Sequence, residues 1–204
     1  MTTDIVLPKN NKQEFIEVAA KLSIKKLIFL YDFDEYDKNK IQEKIDSIKN
    51  KKINMQTGFI VNQKNINRVS KTSKLLVAKS SENDRSFIER KKINMIYGFE
   101  ETNKKDFLHQ RASGLNHIIC KLANKNNVAI GFSYSSLFNK NNQVLVMGRM
   151  MQNIALCRKY KVKTAICSFS NNPFHLRSPH DLISIFTLLG MNIKNIKESI
   201  TMGL

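Results

Sequence analysis

Short apolar runs alternate with longer polar stretches of helical period along the chain. The apolar runs predict strands at residues 4–7, 26–30, 54–60, 74–78, 93–97, 128–132 and 164–168. Between them, apolar positions spaced three or four apart predict helices at about 11–23, 35–50, 62–71, 83–91, 112–126 and 144–160. Strands that alternate with helices indicate repeated βα units and a parallel sheet.

The last predicted helix has a well-marked start. Ser178 is a suitable N-cap, Pro179 fits the first helical position, and Asp181 places an acid at the third. Gly190 suits the stop at the other end. The chain is therefore predicted to end in this helix.

Seven strands, each followed by a helix, fit within 204 residues as a small, irregular (β/α) TIM-like barrel. A doubly wound sheet that binds a dinucleotide would usually carry a GxGxxG sequence after its first strand, and this chain has none there. No linker rich in Pro, Gly or Ser divides the chain, and no internal repeat is present. We predict one α/β-barrel domain over residues 1–204.

The charge balance indicates a polyanionic partner. The chain has 34 Lys and Arg residues against 17 Asp and Glu, a formal net charge of +17. Like charges packed on one globule repel each other, and a polyanion relieves that repulsion. The longest apolar run near the start, residues 27–30, is far too short to span a membrane, and no signal peptide precedes it. These features predict nucleic acid as the partner, no membrane association and a cytoplasmic location.

Residue types that support catalysis do not form familiar motifs. Cys120, Cys157 and Cys167 are odd in number and lack CxxC or Cys/His spacing, so we expect neither a disulfide framework nor a zinc site. The four histidines form no HxH or HExxH arrangement, and neither a GxSxG elbow nor a P-loop occurs. We therefore predict no catalytic residue, no metal ligand and no cofactor bound by the chain itself.

Two acidic pairs leave one alternative open. Asp32 and Asp34 follow the second strand, and Glu100 and Glu101 follow the fifth. Acidic side chains at the carboxyl ends of barrel strands can form the two-metal site of a hydrolase. A solvated acidic loop is the simpler interpretation.

Polar side chains with several hydrogen-bonding modes concentrate in residues 106–117 and on the two helices that follow. The first of these helices is predicted to bury Leu115, Ile118, Ile119 and Leu122, and to expose Ser113, His117, Lys121 and Asn124. The second is predicted to bury Met147, Met150, Met151, Ile154 and Arg158, and to expose Arg149, Gln152, Asn153 and Lys159.

Arg177 lies directly before the capped helix at Ser178. A guanidinium at that position would sit beside exposed N–H groups and the positive end of the helix dipole, which together favour a phosphate. A plain surface arginine is the competing interpretation.

Five collinear runs resemble a known family. They are DFLHQRASGLNH at residues 106–117, NVAIGFS at 127–133, GRMMQN at 148–153, CRKY at 157–160 and LRSP at 176–179. In this order they resemble archaeal ribonuclease P protein component 3, a relative of the human thirty-kilodalton ribonuclease P subunit. The first half matches only as a succession of βα units. Its opening strand lacks the histidine that related barrel phosphoesterases carry there.

The resemblance implies a subunit of ribonuclease P, the endoribonuclease that removes the 5′ leader from precursor tRNA. It also implies a heterodimer or heterotetramer with ribonuclease P protein component 2, in an assembly with ribonuclease P RNA and other ribonuclease P proteins. In that family the RNA performs the chemistry with bound magnesium, and the protein supports it. By analogy, the candidates for RNA or partner contact are Gln110, Arg111, Asn116, Lys121, Arg149, Lys159 and Arg177.

Two other functions remain open at this point. A free-standing metal-dependent phosphoesterase would explain a barrel fold, but the sequence supplies no ligand set for it. A general RNA-binding or ribosome-associated protein would explain the charge, but not the five motif runs.

Overall fold

The computed structural model of the chain describes residues 1–33, 53–71, 75–103 and 105–201. The helix predicted at about 35–50 lies outside these residues, as do Asp34 and Lys74. All seven predicted strands are found, with their ends shifted by at most two residues where both ends are described.

The strands run β1 Thr3–Val6, β2 Lys26–Asp32, β3 Asn54–Ile60, β4 Leu76–Lys79, β5 Met95–Tyr97, β6 Ala129–Ser133 and β7 Thr164–Cys167. They form one seven-stranded sheet in which each strand pairs with the next in chain order. Every pairing is parallel. With helices around it, the sheet curls into a nearly closed barrel, which confirms the predicted TIM-like fold.

The seam between the first and last strands is joined just beyond β7. Phe169 N–H donates to the Ile5 carbonyl at 2.8 Å, and Leu7 N–H donates to the Ser170 carbonyl at 2.9 Å. A buried carboxylate reinforces the seam, because Asp4 Oδ1 accepts the Ser168 N–H at 2.7 Å. Burial raises the pKa of Asp4 to about 6. Sequence reasoning had not singled out this residue.

Stacked rings occupy the barrel axis at the carboxyl ends of the strands. Tyr97 and Phe169 lie with centroids 4.0 Å apart and planes 7° from parallel. Phe169 adopts a φ of 47°, in the left-handed region that a bulky residue rarely enters. Gly131 makes room for the stack, since a Cβ there would lie 2.9 Å from Tyr97 Cβ and 2.8 Å from Met95 Sδ.

The helices of the described residues are α1 Lys12–Lys21, α2 Ile66–Val69, α3 Asp84–Glu89, α4 His117–Asn126, α5 Gln143–Lys159, α6 Pro179–Leu188 and α7 Ile193–Thr201. A short 3-10 turn, Phe99–Glu101, follows β5. Within the described part of the chain, no helix has the length and apolar character needed to cross a membrane.

Two helix predictions need correction. The helix predicted from residue 112 begins at His117, because the Asn116 side chain accepts the N–H groups of Ile118 and Ile119 and thereby caps it there. The chain was also predicted to end in the helix that Ser178 caps. Gly190, with a φ of 91°, does end that helix, but α7 follows it.

We expect Gly131→Ala to lower the free energy of unfolding by about 1–3 kcal/mol, the usual cost of overpacking a tight core. The added methyl would press on Met95 and Tyr97 inside the barrel. Urea unfolding followed by circular dichroism measures the change. An unchanged midpoint would show that the stacked rings can move aside.

Candidate nucleic-acid interface

Arg149 lies at the centre of the polar segment rather than on its surface. Its side chain is fully buried, at 0% exposure. Nε donates to Asp106 Oδ1 at 2.8 Å, and Nη1 donates to the carbonyls of Glu100 at 2.9 Å and Asn103 at 2.7 Å. The prediction that Arg149 faces outward was therefore wrong, and in this structure the side chain cannot reach RNA.

The error came from the orientation of α5. Buried positions on this helix are Val146, Gly148, Arg149, Met150, Asn153, Ile154 and Cys157. Met147 and Met151, which were predicted to be buried, are 39% and 49% exposed. Arg158, predicted inward, is exposed, and Asn153, predicted outward, is buried. Two rows of apolar residues run along α5, one through Val146, Met150 and Ile154 and the other through Val144, Met147 and Met151. The sequence pattern alone does not show which row faces the barrel.

Asp106 connects Arg149 to Arg111. Its Oδ1 also accepts the Ala112 N–H at 2.8 Å, and its Oδ2 lies 3.7 Å from Arg111 Nη1. Desolvation by itself would raise the pKa of Asp106. The hydrogen bonds from Ala112 and Arg149, with the charges of Arg149 and Arg111, outweigh it and lower the pKa. The carboxylate stays ionised and holds both guanidinium groups.

The Arg111 guanidinium packs against α5 at Gly148. A Cβ at Gly148 would lie 1.9 Å from Arg111 Nη1 and 2.3 Å from its Cζ, so any larger residue there would displace the guanidinium. The Arg111 side chain keeps 48% of its surface exposed. Of the predicted contact residues, Arg111 is therefore both anchored and accessible.

Gln110 and Asn116 lie on either side of this anchored region. Gln110 is exposed, and its carbonyl accepts the Phe107 N–H at 2.9 Å, which closes the loop. Asn116 uses its side-chain oxygen to cap α4, so its amide group has a structural role. The neighbouring face prediction was partly wrong, because Ile118 is 47% exposed and Ser113 is buried.

Lys121 and Lys159 come together over one aromatic ring. Their ammonium groups lie 5.9 Å and 5.7 Å from the centroid of Tyr160. Both lysines are exposed and reach the ring from different helices. The sequence predicted both lysines as contact residues but not Tyr160, although this tyrosine is the last residue of the CRKY run.

Arg177 precedes the capped helix as predicted, but its guanidinium is already engaged. Ser178 Oγ accepts the Asp181 N–H at 3.2 Å, and Asp181 Oδ2 accepts the Ser178 N–H at 3.3 Å, which confirms the predicted cap. Arg177 Nη1 donates to the carbonyls of Phe174 and Leu176, and Cζ lies 4.4 Å from the Phe138 ring centroid. Its proposed contact with phosphate stays a prediction.

The acidic residues that could have formed the two-metal site of a hydrolase do not come together in the structure as described. Glu100 is buried and its Oε1 accepts the Ser133 N–H at 3.2 Å, while Glu101 Oε2 lies 3.5 Å from Lys79 Nζ. Asp32 is exposed at the end of β2. Over residues 1–33, 53–71, 75–103 and 105–201, no group of three or more His, Cys, Asp or Glu side chains is placed to hold a metal ion.

Large exposed apolar side chains occur on the segments before and after Arg111. They belong to the loop before α4, to α4 itself and to the first turns of α5, and they are Phe107, Leu108, Ile118, Val144, Met147 and Met151. Exposed apolar side chains of this size are commonly found where another protein binds. The second apolar series of α5, at residues 144, 147 and 151, was the sequence signal for those on this helix.

Comparison with known proteins finds a family similar to the second half of the chain. Residues 104–203 match the family model of RNase P subunit p30. This part of the chain is therefore similar to the RNase P subunit p30 family. The matched stretch contains Asp106, Arg111 and Arg149, and also both helices that meet at Tyr160.

Individual relatives are similar to only part of the chain. Ribonuclease P protein component 3 of Methanosarcina acetivorans is 31% identical over 93 residues, which are 45% of this chain and 39% of that protein. The chain spans between 34% and 45% of the length of the first four curated relatives that it matches.

Solved structures share the fold over almost the whole chain. A chain in a cryo-EM structure of archaeal ribonuclease P with mature tRNA matches with a TM-score of 0.78 and 20% identity, covering 97% of this chain and 87% of that one. A histidinol phosphate phosphatase from Lactococcus lactis matches with a TM-score of 0.64 and 10% identity, covering 94% of each chain. At these identities the likeness concerns the fold alone.

We expect Arg149→Met to lower the free energy of unfolding by about 2–4 kcal/mol, because the carbonyls of Glu100 and Asn103 lose their donor and Asp106 loses its nearest cation. Arg158→Met, an exposed arginine on the same helix, is the matched control and should change stability by less than about 0.5 kcal/mol. Chemical denaturation measures both variants. Equal, small losses would contradict the structural role of Arg149.

Stability should also depend on the protonation of Glu100. Desolvation raises the pKa of this carboxyl from 4.5 to about 7. The stability that the protonated Glu100 carboxyl contributes is fully present below 4.5, the pKa of this group in the unfolded chain. It is lost as the pH rises through about 7, the pKa in the folded chain. From this group the wild-type chain should gain about 2 kcal/mol between about pH 8 and about pH 5.5.

Glu100→Gln keeps a neutral side chain at every pH and should remove that part of the pH dependence. The variant should be more stable than the wild type at about pH 8, and close to it at about pH 5. Urea unfolding across this range provides the comparison. A wild-type and variant pair with parallel pH profiles would be incompatible with a raised pKa at Glu100.

Proposed function

We propose that this chain is a protein subunit of ribonuclease P and supports the catalytic RNA in removing the 5′ leader from precursor tRNA. The match of residues 104–203 to the p30 family carries the proposal. Two of the motif runs, residues 106–117 and 148–153, meet in the fold where the Arg111 guanidinium lies against Gly148. The expected location is the cytoplasm.

Ribonuclease P RNA is the proposed polyanionic partner. A formal net charge of +17 favours binding to phosphate through release of counterions. Arg111, Lys121 and Lys159 supply accessible cations, and Arg177 supplies a guanidinium whose Nη1 is held on the main chain. We assign the divalent ion chemistry to the RNA with its bound magnesium.

Ribonuclease P protein component 2 is the proposed protein partner, as a heterodimer or heterotetramer. The exposed apolar side chains of the loop before α4, of α4 and of α5 support this part of the proposal. Burying these side chains at an interface would stabilise the complex by roughly 25 cal/mol per Å² of apolar surface removed from water. Other ribonuclease P proteins complete the proposed assembly.

Purification of the tagged chain from its own cells, followed by sequencing of the RNA that co-purifies, tests the proposal. Enrichment of ribonuclease P RNA is the expected result. Enrichment of ribosomal RNA would favour a general RNA-binding protein. A preparation without RNA that hydrolyses phosphoesters would favour a phosphoesterase.

In reconstitution, we expect the isolated chain to cleave no precursor tRNA, with or without divalent ions. Added to the cognate RNA together with component 2, it should lower the magnesium concentration required for cleavage, because a basic surface replaces ions that screen phosphate repulsion. An unrelated basic protein of similar net charge is the control. An unchanged magnesium optimum at saturating protein would contradict the supporting role.

A further inference from the structure

A pocket of about 470 Å³ opens at the amino ends of β6 and β7, away from the anchored Arg111. Ala129 and Thr164, which begin these strands, lie at its base. The last turn of α5 forms one wall and α7 forms the other. Arg158 lies nine residues beyond Arg149, about 13 Å further along the helix axis. The pocket is therefore distinct from the Asp106 network.

The rim of the pocket is basic. Arg158, Lys161 and Lys163 line it, against a single carboxylate from Glu198. All three cations are exposed, and none of them forms an ion pair with a residue in the described ranges. An excess of unpaired positive charge at the mouth of a concave site attracts a phosphate group.

The interior of the pocket combines an apolar wall with amide groups. Ile154, Val162 and Met191 supply the apolar surface. Asn195 is half-buried on the α7 side, and within the part of the chain that the structure describes its side-chain amide makes no hydrogen bond. An amide presents a donor and an acceptor together, which suits the edge of a nucleobase. The apolar wall suits the face of the base.

We propose that this pocket binds one unstacked nucleotide of a single-stranded RNA segment. The phosphate contacts Lys161, Lys163 and Arg158, and the base enters the cleft against the Asn195 amide. The volume lies within the range of roughly 300–1,000 Å³ that is typical of small-ligand sites. Recognition of splayed, single-stranded bases is also the usual route to sequence-dependent RNA binding. The site does not depend on which RNA the chain serves.

The backbone conformation of Lys161 determines which substitution is informative at this position. This residue ends the turn after α5 with a φ of 53°, in the left-handed region. Glycine is the usual residue at such a position, because a Cβ adds strain there. The same geometry provides a useful variant, since Lys161→Gly removes the charge and also relieves the backbone.

The experiment compares the full-length chain with three variants. Lys161→Gly combined with Lys163→Gln removes two rim charges, and Asn195→Met fills the cleft without changing the charge. Lys194→Gln combined with Lys197→Gln is the matched control, since both lysines lie on α7 outside the pocket. Fluorescence anisotropy measures binding of a mixed-sequence, single-stranded RNA of about 12 nucleotides. Nuclear magnetic resonance follows titration with the four nucleoside monophosphates and with inorganic phosphate.

We expect the rim variant to weaken RNA binding about 10-fold to 100-fold, the scale of lost charge-assisted hydrogen bonds. Its melting temperature should be unchanged or higher. Asn195→Met should weaken binding about 10-fold at unchanged net charge, and the control pair should weaken it less than about 3-fold. Nucleoside monophosphates should shift the resonances of the Asn195 side-chain amide, and the shift should saturate as the nucleotide concentration rises.

Three results would overturn the proposal. Equal losses in the rim variant and the control, with none in Asn195→Met, would indicate diffuse electrostatic attraction only. Inorganic phosphate that binds as tightly as the nucleotides would exclude a role for the base. RNA affinity that stays intact in the pocket variants, together with lost binding to purified component 2, would assign the pocket to a protein partner. None of these results bears on whether ribonuclease P RNA co-purifies with the chain.

Discussion

One buried guanidinium organises the half of the molecule that matches the p30 family model. Arg149 joins the loop after β5 to α5 through Asp106 and two main-chain carbonyls, and it is completely removed from water. A buried charge is tolerated only when it is paired and hydrogen-bonded, so the loop must adopt this conformation whenever α5 packs on the barrel. The positions of Asp106, Arg111 and the exposed apolar loop residues all follow from that requirement.

The barrel was predictable because each strand is a short apolar run between polar stretches. Strand pairing then follows chain order, which βα units impose. The start of α6 at Ser178 and its end at Gly190 were predictable for a similar reason, since each depends on residues within a few positions along the chain. Helix α7 was not predicted, although Ile196 and Ile200 are buried at helical spacing, because a glycine stop such as Gly190 does not indicate that another helix follows.

The candidate site was less predictable because it depends on contacts between distant segments. Lys121 and Lys159 meet only through the packing of α4 beside α5, and neither helix alone indicates Tyr160. The burial of Arg149 could not be read from its own helix, since an arginine is expected to face water unless a partner for its charge is known. Its partner Asp106 lies 43 residues away. A basic chain of this kind also offers many lysines of similar appearance, and only the fold separates paired from unpaired ones.

The Tyr97 and Phe169 stack has a consequence for the whole barrel. Enzymes of this architecture keep their substrates at the carboxyl ends of the strands, and here two buried rings and the backbone of Gly131 take up the axis at that end. With the axis filled at this end, the outer helices and loops are the surfaces that can contact other molecules.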